Sequence, residues 1–168
     1  MPSTRETPNA RTPATGSSAP TAAADVVRDA VLLASRVLVG VIMIAHGWQK
    51  VADKGLDATA AGWASNGIPF PQFSAVFAAA AEIGGGLLLI LGFLTPLAGL
   101  AITVVLFGAF WFVHRGAGLF VREGGWELVA ALGCAALMLA VVGPGRFSLD
   151  EVVFARRRRR RGGSRAHG

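Results

Sequence analysis

The chain has 168 residues, of which 53% are hydrophobic and 15% are charged, and its formal net charge is +6. A soluble domain of this length usually carries more charge, so the composition predicts a membrane protein with room for one compact domain. The excess positive charge lies in one run, Arg156–Arg161. Because this run follows a membrane segment, we expect it to contact anionic lipid and not nucleic acid.

Residues 1–28 are rich in proline, threonine, serine and alanine. Such a segment cannot bury enough apolar surface to offset the entropy lost on ordering, so we predict a disordered tail. We do not expect a signal peptide, because this polar stretch precedes the first apolar run. Residues 29–154 are predicted to form the membrane domain, and residues 155–168 a polybasic tail.

Four apolar segments follow the tail, each close to the roughly 20 residues that cross a bilayer core. They cover about residues 31–51, 73–92, 96–114 and 125–142. Helices are predicted for all four, because a helix satisfies its own backbone hydrogen bonds in lipid. The predicted fold class is therefore all-α, an integral membrane four-helix bundle. A short interfacial helix is expected in the link between the first two segments.

The fourth segment contains the one cysteine of the chain, Cys134. A single thiol cannot form an intramolecular disulfide or a Cys-x-x-Cys pair, and the sequence has no metal or haem motif. Any redox role must therefore use a bound cofactor, a partner's thiols or an intermolecular bond. Cys134 itself is predicted to be a small buried hydrophobic residue.

Arginine and lysine are distributed unequally between the two ends of the predicted bundle. The end with both termini carries 11 of them, whereas the opposite end carries 4, namely Lys50, Lys54, Arg115 and Arg122. Because positively charged loops stay in the cytoplasm, we predict that both termini are cytoplasmic. The four tryptophans lie at or beyond the opposite end, which is typical of an interfacial aromatic belt.

Five motifs occur in the order RVLVGVIMIAHGWQKV, NGIPFP, AAAAEIGGGLLLILGFLTPLAGLAI, GGWELV and GPGRFSLD. In this order they resemble the DoxX family of small four-helix bacterial membrane proteins, over about residues 33–150. The resemblance implies a multi-pass protein of the bacterial plasma membrane. It also implies a link to thiosulfate or quinone-coupled oxidation, or to thiol-stress complexes with soluble oxidoreductases.

Ionisable side chains inside membrane segments are costly, by roughly 2.5–3.5 kcal/mol at mid-helix, so each is a functional candidate. Glu82 is the deepest, about 15 Å from the outer end of its helix at a rise of about 1.5 Å per residue. A carboxylate there must be protonated, paired or hydrogen-bonded. Two interpretations stay open for it, an interhelical contact and a proton-relay or ligand-binding role.

Antiparallel helices bring most of the ionisable groups to the outer end of the bundle, above Glu82. This arrangement predicts a titratable pocket that opens to the extracytoplasmic side. Catalytic roles are predicted for Glu82, His46 and Lys50, and cofactor contacts for His114, Glu127 and Arg36. The structural alternatives are an exposed His114, a helix-capping Glu127 and an Arg36 side chain that extends to the inner headgroups.

The first helix carries a stripe of residues at helical spacing that we expect to face the bundle, formed by Arg36, Gly40, Met43, Gly47 and Lys50. Its two glycines permit close approach of a neighbouring helix. The face of Glu82 is predicted to be a second interior stripe, shared with Ala75, Ala78 and Gly86.

The expected function is the membrane subunit of a quinone-linked oxidoreductase or of a thiol-redox and oxidative-stress complex. A quinone would be its cofactor and a soluble oxidoreductase its partner. One alternative is a non-catalytic membrane anchor that recruits soluble oxidoreductases. Another is a small-solute transporter, which four helices without an internal repeat would form only as a homo-oligomer.

Overall fold

The computed structural model describes residues 22–153, and all regular secondary structure in this range is helical. Its helices are α1 (Ala22–Trp48), α2 (Leu56–Ser65), α3 (Pro71–Leu91), α4 (Thr95–Ala109) and α5 (Glu127–Val142). Two π-helical turns, Gln49–Asp53 and Phe110–His114, continue α1 and α4, and a 3₁₀ turn covers Val121–Glu123. Residues 149–153 are also helical. The predicted all-α fold is confirmed.

Three helical stretches are long and apolar enough to cross a membrane: Ala23–Asp53, Pro71–Leu91 and Thr95–His114. The fourth apolar helix, α5, has only 16 residues. At about 1.5 Å per residue it is shorter than the roughly 30 Å hydrocarbon core of a bilayer. The short helix expected in the link between the first two segments is present as α2.

The first helix begins at Ala22, so residues 22–28, which we predicted to belong to the N-terminal tail, are helical. The rest of that tail and the polybasic run Arg156–Arg161 lie outside the described residues. Their predicted disorder and lipid contacts therefore stay predictions.

Glycines set the distance between α1 and α3. A Cβ atom on Gly40 would lie 2.6 Å from the carbonyl oxygen of Gly86, and one on Gly86 would lie 2.7 Å from that of Gly40. Real Cβ atoms do not approach this closely, so only glycine allows the two backbones to touch here. The predicted interior stripe of α1 is confirmed, since Arg36, Gly40, Met43 and Gly47 are all buried.

A glycine also allows close backbone contact between α4 and α5, where a Cβ atom on Gly99 would lie 2.7 Å from the carbonyl oxygen of Ala136. Between the helices lies one apolar core, formed by Val39, Met43, Leu89, Ala98, Ile102, Leu106, Leu132, Ala136 and Leu139. Large apolar side chains also cover the outside of the bundle, as a protein in lipid requires.

Cys134 lies on that outer surface, on the face of α5 that also carries the exposed Met138. The prediction of a buried cysteine was wrong. Hydropathy does not separate the core face of a membrane helix from its lipid face, because both are apolar.

We call the end of the bundle that carries Ala22 and Val153 the tail end, and the opposite end the loop end. Arg36 lies at the tail end and is fully buried. Its Nη2 group donates a hydrogen bond to the carbonyl oxygen of Phe147, and it does not extend to a surface. The Nε and Nη1 groups have no hydrogen-bond partner within residues 22–153.

Asp150 fastens the C-terminal segment to the start of α4. Its carboxylate accepts hydrogen bonds from the backbone N–H groups of Leu94 (3.2 Å) and Thr95 (3.4 Å). These are the groups that a helix leaves unpaired at its N-terminus, where a negative charge also suits the dipole. The backbone N–H of Glu151 donates to Ser148 Oγ at 3.2 Å, which caps the start of the helical residues 149–153.

Candidate functional site

The centre of the candidate site is an ion pair between Lys50 and Glu82. Lys50 Nζ donates to both carboxylate oxygens of Glu82, at 2.9 and 2.7 Å, and to the backbone carbonyl oxygen of His46 at 3.3 Å. These contacts use all three donors of the ammonium group. The Glu82 side chain is 5% exposed and that of Lys50 is 18% exposed. The carboxylate is therefore paired at depth, which is one of the three states that the sequence allowed.

Local backbone structure brings Lys50 to this carboxylate. Lys50 lies on the π-helical turn Gln49–Asp53, whose wider hydrogen-bonding ring shifts side chains relative to a continuous α-helix. Glu82 reaches α1 beside Gly47, where an added Cβ would lie 3.1 Å from the Cβ of Glu82. A larger residue at position 47 would separate the two helices and lengthen the ion pair.

Two cavities meet at the ion pair, and both are lined in part by Lys50 and Glu82. The first, of about 220 Å³, lies among α2, α3 and α4 and is otherwise almost wholly apolar. We call it the apolar chamber. Its lining includes Trp63, Phe77 and Phe112.

The second cavity, of about 190 Å³, lies between α1, α4, α5 and the loop that precedes α5. We call it the histidine chamber, because His46 and His114 line it together with the ion pair. His114 Nδ1 lies 2.6 Å from the carbonyl oxygen of Gly124 and donates to it, since a carbonyl oxygen only accepts. In a neutral His114, Nε2 is then the free acceptor.

Four of the six predicted site residues are thus brought together: Glu82, Lys50, His46 and His114. Glu127 is at the loop end but turns elsewhere, because its Oε1 accepts from the backbone N–H of Val121 at 2.8 Å. Arg36 lies at the tail end and lines neither chamber. Glu127 and Arg36 therefore make hydrogen bonds to the backbone outside the two chambers, and Arg36 is remote from the four residues that line the histidine chamber.

The apolar lining of the first chamber was not predicted. Its residues come from three helices and the link before α3, and none is unusual by type. The signals available in the sequence were Trp63, which lies on α2, and the motif NGIPFP, part of which (Ile68 and Pro69) lines the chamber. Within residues 22–153, no group of three or more histidine, cysteine, aspartate or glutamate side chains is arranged to hold a metal ion.

Comparison with known proteins places the chain in a family. The DoxX family model matches residues 31–115, a range that contains His46, Lys50, Glu82 and His114. Inner membrane protein YphA of Escherichia coli strain K12 is 36% identical over 129 residues, which cover 73% of this chain and 90% of YphA. No solved structure matches the chain.

Proposed function

The chain belongs to the DoxX family and is a multi-pass helical protein of the inner membrane, and from this we propose that it is the quinone-binding membrane subunit of an oxidoreductase. One observation carries the proposal. A buried, hydrogen-bonded Lys50–Glu82 pair separates an apolar chamber from a chamber lined by two histidines.

This arrangement suits a quinone because the molecule combines an apolar ring with two hydrogen-bond acceptors. The ring would lie at the end of the apolar chamber that meets the ion pair, with a quinone carbonyl oxygen against the Lys50 ammonium group. As the quinone accepts electrons, negative charge develops on that oxygen. A fixed ammonium group in a site of low dielectric stabilises such charge more than water does.

Reduction of the quinone also requires protons. Each quinone takes up two electrons and two protons and becomes a quinol. The Glu82 carboxylate would take up protons from the histidine chamber, whose wall includes His46 and His114, and pass two of them in turn to the reduced quinone. The electrons come from the oxidation of two thiols to a disulfide, or of a small sulfur compound, on a soluble partner. Each such oxidation releases two electrons, and a dithiol also releases two protons.

The proposal is tested by Glu82→Gln and His46→Gln in inner-membrane vesicles from cells that lack the wild-type chain. The measurement is reduction of a short-chain ubiquinone with dithiothreitol or thiosulfate as electron donor. Loss of a positioned proton donor is expected to lower the rate by about 100-fold or more in each variant. Immunoblotting checks that protein levels are equal.

Glu123→Gln is the matched control, because Glu123 is also at the loop end but its side chain is 54% exposed and lines neither chamber. It should reduce quinone at the wild-type rate. Wild-type rates in both Glu82→Gln and His46→Gln would overturn the proposal.

The second candidate function is a non-catalytic anchor that recruits a soluble oxidoreductase. It is favoured by the basic run that follows the helical residues 149–153, next to a segment that Asp150 fastens to the bundle. Deletion of residues 156–168 separates the two functions. An anchor loses activity on this deletion and keeps it in Glu82→Gln, whereas a quinone-binding subunit shows the reverse.

A further inference from the structure

The apolar chamber borders helix surfaces that face lipid. It is formed between α3 and α4, under Trp63 of α2. Three of its lining side chains, Phe77, Val104 and Val113, are also exposed on the outer surface of the bundle, at 44%, 53% and 42%. They belong to helical stretches apolar and long enough to cross a membrane, so their exposed faces contact lipid.

The polar side chains of the chamber are concentrated at the ion pair. Besides Lys50 and Glu82, the lining contains one hydroxyl, that of Ser74. Ser74 Oγ donates to the carbonyl oxygen of Pro69 at 2.8 Å, so its hydrogen is already used. A molecule in the chamber therefore meets hydrocarbon along the wall and two paired charges at one place.

Gly108 keeps the α4 wall of the chamber open. A Cβ atom at this position would have no heavy atom within 4 Å, and the residue lines the chamber. We therefore expect a side chain here to enter the chamber without displacing the backbone. Gly84 of α3 has equally open space around it but lines neither chamber.

We propose that the apolar chamber is a lateral binding site for the hydrocarbon tail of a neutral lipid-soluble ligand, which enters from the bilayer and places its carbonyl head group at Lys50 and Glu82. This inference rests on the function proposed above, and it adds where the hydrocarbon tail of the ligand binds. The tail occupies apolar surface between α3 and α4, while the head group exchanges protons through the histidine chamber.

Charge decides against a phospholipid as the occupant. The ion pair is neutral as a whole, and all three donors of Lys50 are already engaged. A phosphate head group would bring a negative charge against the Glu82 carboxylate in a site of low dielectric, which is unfavourable. A carbonyl oxygen carries only a partial charge and can share the Lys50 donors.

The test compares Gly108→Leu with Gly84→Leu, both purified as full chains in lipid nanodiscs. Binding of decylubiquinone and of the tail-less 2,3-dimethoxy-5-methylbenzoquinone is followed by quenching of tryptophan fluorescence. Trp63→Phe identifies the part of the signal that comes from the chamber, because Trp63 lines it.

Gly108→Leu is expected to weaken decylubiquinone binding about tenfold or more, equivalent to about 1.4 kcal/mol, and to leave the tail-less quinone within about twofold of wild type. Gly84→Leu should match the wild type for both ligands. Unchanged decylubiquinone binding in Gly108→Leu overturns the inference, and so does an equal loss for both ligands.

The two proposals fail in different ways. If the tail-less quinone binds wild type as tightly as decylubiquinone does, the chamber is not a binding site for the tail, and the proposed quinone function is unaffected. If the wild-type chain binds neither quinone, both proposals are wrong. A third outcome is that phospholipid co-purifies with wild type but not with Gly108→Leu, while decylubiquinone binding is unchanged. The occupant is then a lipid acyl chain, and the inference is wrong.

Discussion

Glu82 illustrates how a single buried charge is tolerated in a membrane helix. An ionised carboxylate without a partner in this position is strongly unfavourable, and its direct partner is Lys50 of the neighbouring helix. The need for a partner was predictable from depth alone. The choice of Lys50 was not, because it depends on the π-helical turn after α1 and on the close contact at Gly47.

A double-mutant cycle tests how strongly the pair is coupled. Lys50→Met or Glu82→Met alone leaves a buried charge without its partner and should lower the free energy of unfolding by roughly 3–5 kcal/mol. The double variant replaces the pair with apolar side chains of similar size and should recover most of that loss. The measurement is thermal unfolding of purified protein in mild detergent. Losses that simply add in the double variant would contradict the coupling.

The direction of the Arg36 side chain depends on the assembled bundle and not on its own helix. Long basic side chains near a helix end often extend to the headgroups, and this was one of the two interpretations given above. In the folded chain Arg36 instead points into the bundle and binds the carbonyl oxygen of Phe147, a residue far along the sequence. The segment that receives it is contained in the motif GPGRFSLD, but its docking position is a property of the assembled helices.

At the scale of elements, backbone contact at glycines determines how α1 meets α3 and how α4 meets α5. Apolar side chains gain little by leaving lipid for a protein core, so close packing is the main source of helix association in a membrane. The glycines that permit it were identifiable in α1 from their spacing. Which glycine of the GGG run in α3 they would meet was decided by the crossing position of the helices.

Two alanine substitutions within that run test this packing. In Gly86→Ala the added methyl group would meet the Gly40 carbonyl oxygen, so we expect a loss of about 1–3 kcal/mol in the free energy of unfolding. Gly84→Ala, two positions away in the same helix, adds its methyl group to open space. It should stay within about 0.5 kcal/mol of wild type.

Unfolding in detergent, followed by the loss of helical circular dichroism, measures both variants. Equal stabilities for Gly86→Ala and Gly84→Ala would show that the close approach of α1 and α3 does not contribute to stability.

At the scale of the whole molecule, the bundle has two chemically different ends. The loop end carries the histidine chamber, and the tail end is closed by Arg36, Asp150 and the segment between Gly143 and Asp150. The unequal distribution of arginine and lysine predicts a cytoplasmic tail end. Protons would then exchange with the extracytoplasmic side.

Cysteine labelling tests this orientation. In a Cys134→Ala background, Asn66→Cys places a thiol on an exposed loop-end residue and Arg146→Cys places one on an exposed tail-end residue. A membrane-impermeant maleimide should label Asn66→Cys in intact spheroplasts, and Arg146→Cys only after permeabilisation. Labelling of Arg146→Cys in intact spheroplasts would reverse the assignment.

The sequence by itself determined the class of the molecule: a helical membrane bundle, the approximate span of each helix, and the need of Glu82 to be protonated, paired or hydrogen-bonded. These follow from local quantities, namely the length and hydropathy of each segment and the cost of a charge in lipid. The tertiary structure decided that Lys50 is the partner, that two chambers meet at the pair, that Arg36 is remote from them and that Cys134 faces outward. Such features depend on how the helices cross and rotate, and apolar residues facing lipid or core look alike in the sequence.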